Sequence, residues 1–147
     1  MVNPLEESFP RLVGGGYRIT SPKDKKYNCI AYAACDTERW WWPVPPTVEE
    51  VFWPTGVAPE ETLSAFRDAF TSLGYAVCSG TDLELGFEKI ALFANEQSVP
   101  LHAARQRPEG SWTSKLGELE DIDHNLRDLE GEQYGAVALV MKRPLLP

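Results

Sequence analysis

Apolar residues change their spacing several times along this 147-residue chain, and each change marks an element. Residues 1–16 close on Gly14-Gly15-Gly16 and are expected to form an irregular N-terminal arm. Tyr17-Arg18-Ile19-Thr20 alternates as a short strand does, and Ser21-Pro22 with the charged turn KDKK stops it. Asn28 then offers a capping side chain ahead of a run without Gly or Pro from Cys29 to Ala34, which predicts a helix with Cys29 in its first turn. Prolines 43, 45, 46, 54 and 59 leave room for one short helix between Trp42 and Pro59, and Thr47 with Glu50 has capping-box spacing ahead of Val51-Phe52. The clearest helix runs from about Pro59 to Leu73, with Leu63, Phe66, Phe70 and Leu73 on one stripe and Gly74 as its stop.

Beyond Gly74 the spacing turns strand-like. YAVCS (75–79) and KIALFA (89–94) flank the polar turn SGTDLELG. LHAARQR (101–107) and SWTSKLG (111–117) are separated by Pro108-Glu109-Gly110, which predicts an antiparallel hairpin. In that register Arg107 pairs with Ser111, Ala104 faces Ser114 and His102 faces Leu116. Ile122, Leu126 and Leu129 predict an amphipathic helix ending at Gly131, and GAVALVMKRP predicts a last, more buried strand. The fold class expected is α+β: a Cys-bearing helix packed on a mostly antiparallel sheet, with residues 17–147 as one domain.

Charge narrows the partners. The net charge of −8 comes without a basic block, which disfavours nucleic acid and anionic membranes and leaves neutral or cationic partners. No apolar run approaches the roughly 18 residues of a membrane span, and the N-terminus lacks the basic and apolar regions of a signal peptide. The expected compartment is the cytoplasm, with export independent of an N-terminal signal left open. Three cysteines without C-x-x-C spacing fit neither a disulfide framework nor a zinc site, so neither metal nor cofactor is expected.

The candidate chemistry centres on Cys29. A thiol at a helix start meets backbone N–H groups that favour the thiolate, and a catalytic thiol also needs a base. The histidines are His102 and His124. His102 shares a strand face with Ala104 and Gln106, and Ser114, its diagonal neighbour across the hairpin, is the first candidate to orient the imidazole. Asp121 is the second; a one-residue slip would substitute Thr113 or Lys115 for Ser114. On the helix expected over 122–130, His124 lies about 200° from Ile122 and faces solvent, a secondary candidate only. Tyr27 is either an oxyanion donor beside the Cys29 N–H or a packed ring. Cys35 and Cys78 read as structural, and Arg105 and Arg107 as surface charges. On a helical surface Trp40, Trp41 and Trp42 spread over about 200°, so at least one is partly exposed. They form either a substrate wall beside Cys29 or, the expectation from aromatic burial, a plug for the proline-rich segment.

The words YNCIAYA, WWWP, GFEKIALFA, HAARQRPEGSWTSKLG, DIDH and YGAVALVMKRP, in this order over about residues 17–144, resemble an uncharacterised, mainly bacterial family. Their arrangement resembles papain-like, specifically NlpC/P60-like, cysteine peptidases: a Cys at a helix start, a His on a following strand and a polar third residue on the next. Cys29, His102 and Ser114 match that order; Ser114 stands where the pattern usually has His, Asn or a carboxylate. The resemblance implies a papain-like fold and a thiol-dependent peptidase or amidase acting on an amide or ester of a peptide or protein substrate. An acyltransferase or deamidase would use the same site, and the competing class is a non-catalytic protein-interaction module. No feature of the pattern sets an oligomeric state.

Overall fold

Hairpins organise the second half of the chain. In the computed structural model, which describes residues 4–44 and 50–145, β5 (Phe87–Ala94), β6 (Pro100–Gln106), β7 (Trp112–Lys115) and β8 (Asp121–His124) pair each with the next, all antiparallel. β1 (Arg18–Ser21) adds to β8, while β9 (Ala136–Pro144) returns beside β5 and carries β4 (Ala76–Cys78). The result is a seven-stranded sheet in the order β1-β8-β7-β6-β5-β9-β4. A separate parallel pair joins β2 (Trp40–Trp41) to β3 (Val51–Phe52). With three helices beside these strands, α1 (Pro4–Ser8), α2 (Cys29–Ala33) and α3 (Leu63–Thr71), the described fold is α+β with a mostly antiparallel sheet.

Period-two alternation splits the sheet into two buried faces. Ile90, Leu92, Ala103 and Met141 face α2 and α3, meeting Cys29, Ile30, Phe66 and Phe70. Ala91, Phe93, Ala104, Trp112, Ile122 and Val140 face the other way, against Leu5, Phe9, Leu12, Leu126 and Leu129. Residues 4–12, expected to be irregular, therefore form α1 and a 3-10 turn at Pro10–Leu12, because burial of Leu5, Phe9 and Leu12 covers a sheet face that would otherwise meet water.

The β6–β7 register is the expected one: Arg105 pairs with Thr113, Gln106 with Trp112, and the Arg107 N–H donates to the Ser111 carbonyl at 2.7 Å. α3 keeps the expected stripe within a shorter span, because the Thr62 hydroxyl caps it by accepting from the Ala65 N–H at 3.1 Å. Two further expectations fail. Val51-Phe52 is a strand beside Trp40-Trp41 and not part of a short helix; Thr47, its expected cap, lies outside the described residues. The helix expected from Ile122 is instead β8 followed by a 3-10 turn at Leu126–Leu129, since Asp121–His124 finds ladder partners on both sides. β9 is only partly buried, alternating toward solvent over its first half. Among the described residues no helix is long and apolar enough to cross a membrane.

Candidate active site

Asn28 fixes the start of α2. Its side-chain oxygen accepts from the Ala31 N–H at 3.1 Å and from the Trp41 N–H at 3.2 Å, while its amide donates to the Trp41 carbonyl at 2.7 Å. One side chain thus caps the helix and ties it to β2; a cap of this type contributes about 1 kcal/mol. α2 packs on β6 and β7.

The β6–β7 ladder opens where α2 arrives. Arg107 and Arg105 turn their N–H groups toward β7, and so, two residues on, does Ala103, but the ladder ends at the Arg105–Thr113 pair. The Ala103 N–H faces the Cys29 sulfur instead, as do the N–H groups of Ile30 and of Cys29 itself. Burial nevertheless dominates, pushing the Cys29 thiol up to about 11 against these donors and the Lys115 charge. In the resting protein the sulfur is protonated at neutral pH.

Beneath the thiol lies a polar cluster on the same face. The Tyr27 hydroxyl donates to Asp121 Oδ2 at 2.7 Å, and the Lys115 ammonium sits 5.2 Å from the Tyr27 ring centre and donates to the Leu119 carbonyl. Burial pulls Lys115 below its ordinary value and raises the Asp121 carboxyl, the latter against the Tyr27 hydrogen bond. Tyr27 is a packed ring, buried and stacked on Tyr32 with centroids 6.0 Å apart, and the oxyanion role of Tyr27 and the orienting role of Asp121 find no support here. The one proton of Tyr27 goes to Asp121 and not toward an oxyanion, and Asp121 binds Tyr27 and not His102.

His102 projects to the other face, fully buried, and is not hydrogen-bonded to Cys29. Its Nε2 meets Ser114 Oγ at 3.0 Å, and Ser114 Oγ meets His124 Nε2 at 2.7 Å. His124 Nδ1 in turn lies 2.8 Å from the Asn125 carbonyl. That carbonyl only accepts, which fixes every proton in the chain. His124 carries its proton on Nδ1 and leaves Nε2 bare, so Ser114 donates to it. Ser114 Oγ then accepts from His102 Nε2–H, which leaves the Nδ1 of a neutral His102 as a bare nitrogen, and it has no partner. Burial holds both rings neutral: His124 falls to about 4, and His102 lies well below its ordinary value, lowered also by His124.

Ser114 therefore stands beside His102 as expected. His124, expected in solvent on a helix, is buried on β8 and forms the far end of this chain. The periodicity of Ile122, Leu126 and Leu129 concealed it. Asn28 and Tyr134 were also missed as site residues. The Tyr134 ring stacks on His102 with centroids 4.0 Å apart and planes 8° from parallel. Its signal was the glycine on either side, Gly131 and Gly135.

Tyr134, Cys29 and Asn28 open on a pocket of about 350 Å³, completed by Leu101, Gly117, Trp40 and Trp42. The tryptophans are extended, not helical, so they alternate. Trp41 is buried, its indole N–H donating to Asp36 at 2.8 Å, whereas Trp40 and Trp42 are half-buried and wall the pocket. Plug and wall are thus divided among three adjacent residues. A wider cleft of about 790 Å³, lined in part by Lys25, Lys26 and Arg39, adjoins through Trp40 but holds none of these histidines or cysteines. Cys35 is exposed and Cys78 half-buried; all three cysteines are free. Among the described residues no three His, Cys, Asp or Glu side chains group as metal ligands do.

Comparison with curated proteins and with solved structures returns no match. Kinship is carried by the stretch that builds both the sheet and this site: residues 18–142 match the model of one family, described as Domain of unknown function (DUF7689), and the chain belongs to that family.

Proposed function

We propose that the protein is a thiol-dependent acyl-transfer enzyme, a hydrolase of amide or ester bonds, with a papain-like, NlpC/P60-like order of Cys29, His102 and Ser114. The observation that supports this most is the directed hydrogen-bond chain from the Asn125 carbonyl to His102. It leaves one bare imidazole nitrogen, on the residue next to the Ala103 N–H that the thiol faces.

In the proposed reaction the Cys29 S–H proton passes to His102 Nδ1 through a water entering the aromatic pocket, since the thiol lies against the Ala103 face of β6 and His102 points to the other, while the sulfur attacks a carbonyl carbon presented from that pocket. The N–H groups of Cys29 and Ala103 are the donors nearest the developing oxyanion. The imidazolium then gives its proton to the leaving amine or alcohol, and a thioester remains. Water, deprotonated by the same nitrogen, attacks the thioester, releases the acid and restores the thiol. An amine or alcohol in place of water makes the enzyme a transferase; a glutamine carboxamide as acyl donor makes it a deamidase. The substrate is a peptide or another amide-bearing molecule, proteins among them.

The test is capture of the intermediate. Incubation at neutral pH with a short peptide thioester or p-nitrophenyl ester, followed by proteolytic mapping under acidic quench, is expected to place the acyl group on Cys29, and His102→Ala is expected to slow it by about 10⁴-fold. The burial that raises the thiol favours a second reading, a non-catalytic peptide-binding module using Trp40 and Trp42. Peptide binding with Cys29 left unacylated would select it.

A further inference from the structure

We infer that Tyr134 is a positioning residue for His102, holding the plane of the imidazole while its other side walls the pocket beside Cys29. Ser114 decides which imidazole nitrogen is bare, but a single hydrogen bond at Nε2 leaves the ring free to tilt about the line joining Nε2 to Oγ. A parallel ring at 4.0 Å removes that freedom. Tyr134 is itself held on several sides. Phe9 tilts against it at 5.0 Å, and Phe93 meets both Tyr134 at 6.5 Å and His102 at 5.2 Å edge-on.

The loop carrying Tyr134 is closed by reciprocal bonds, Gly131 N–H to the Gly135 carbonyl at 2.9 Å and Gly135 N–H to the Gly131 carbonyl at 2.8 Å. Gly135 has φ of +71°, and a Cβ there would stand 2.0 Å from the Ala94 carbonyl oxygen, so only glycine lets the loop press against the end of β5. The tyrosine is thereby clamped between strand β5 and the pocket, in contact with the proposed base on one side and with the ligand space on the other.

The inference rests on His102 acting as the base, but its readout does not require turnover. In the unaltered protein the ring C–H protons of His102 are expected to be shifted upfield by the Tyr134 ring current. Tyr134→Phe keeps a ring and is expected to retain both that shift and the rate of Cys29 acylation. Tyr134→Leu fills similar space without a plane, and is expected to lose the shift and slow acylation about 10- to 100-fold at saturating ester. Unshifted His102 protons in the unaltered protein, or a folded Tyr134→Leu variant with full acylation rate, would overturn the inference. If no variant is acylated while the shift follows the ring, the proposed enzymatic function fails and the positioning contact stands.

Discussion

Residues 102 and 103 are adjacent on β6, yet the two sides of the strand handle protons in opposite ways. On the Ala103 side, a buried thiol shares its face with Tyr27, and desolvation outweighs the nearby N–H groups and the more distant Lys115 charge, so sulfur keeps its proton. On the His102 side burial outweighs the Asn125 carbonyl and the Asp128 and Asp123 charges at His124, so both rings stay neutral and the chain through Ser114 is directed by one carbonyl. The difference teaches that the thiol is not a preformed ion pair with the imidazole. Under the proposed mechanism it ionises only as a base removes its proton during attack, which is general-base catalysis.

That contrast can be broken most severely at its two poles. Cys29→Ala is expected to remove acylation entirely, and His102→Ala to slow it by about 10⁴-fold or more, measured by mass-mapped acyl transfer to residue 29. Acid tests the neutral side next. His124 titrates at about 4 in the folded protein against an ordinary value near 6.5. A histidine with a depressed folded pKa contributes its stability fully above the unfolded value, and that contribution is lost as pH falls through the folded one. Stability is therefore expected to drop by about 3 kcal/mol between pH 6.5 and 4, with His102 adding in the same direction, as read from urea unfolding. Stability that stays flat across that window would mean that the rings are not buried neutral.

Ser114→Ala comes next. It strips a buried partner from both histidines, and a cost of about 1–3 kcal/mol is expected together with slower acylation. Smallest is the effect from the charged side. Lys115→Met removes a distant cation, so the Cys29 titration, followed by thiolate absorbance, is expected to move upward by less than about one unit. A downward move would place Lys115 in a different relation to the sulfur.

Local rules sufficed where geometry was local. Asn28 capping Cys29 followed from residue type, and the Pro108-Glu109-Gly110 turn with strict alternation set the β6–β7 register that brings Ser114 to His102. They failed where a distant strand decided the outcome. The four- and three-residue steps of Ile122, Leu126 and Leu129 mimic a helix, but β1 and β7 capture Asp121–His124 as a strand and bury His124. Likewise β3 draws Trp40 and Trp41 into an extended pair, so their exposure follows a period of two. Which side of β6 receives α2 is a packing outcome, and it sets Cys29 and Tyr27, with the Asp121 that Tyr27 binds, on the face opposite His102.

The most direct test follows the rate of Cys29 acylation by p-nitrophenyl acetate from pH 5 to 11, with site mapping, in the intact protein and in His102→Ala. The account predicts a plateau through neutral pH in the intact protein, where neutral His102 supplies the base. In the variant that plateau is absent, and reaction rises only as the thiol itself ionises toward about 11. Identical profiles in both proteins, each climbing only in strong alkali, would contradict it and leave Cys29 a structural thiol.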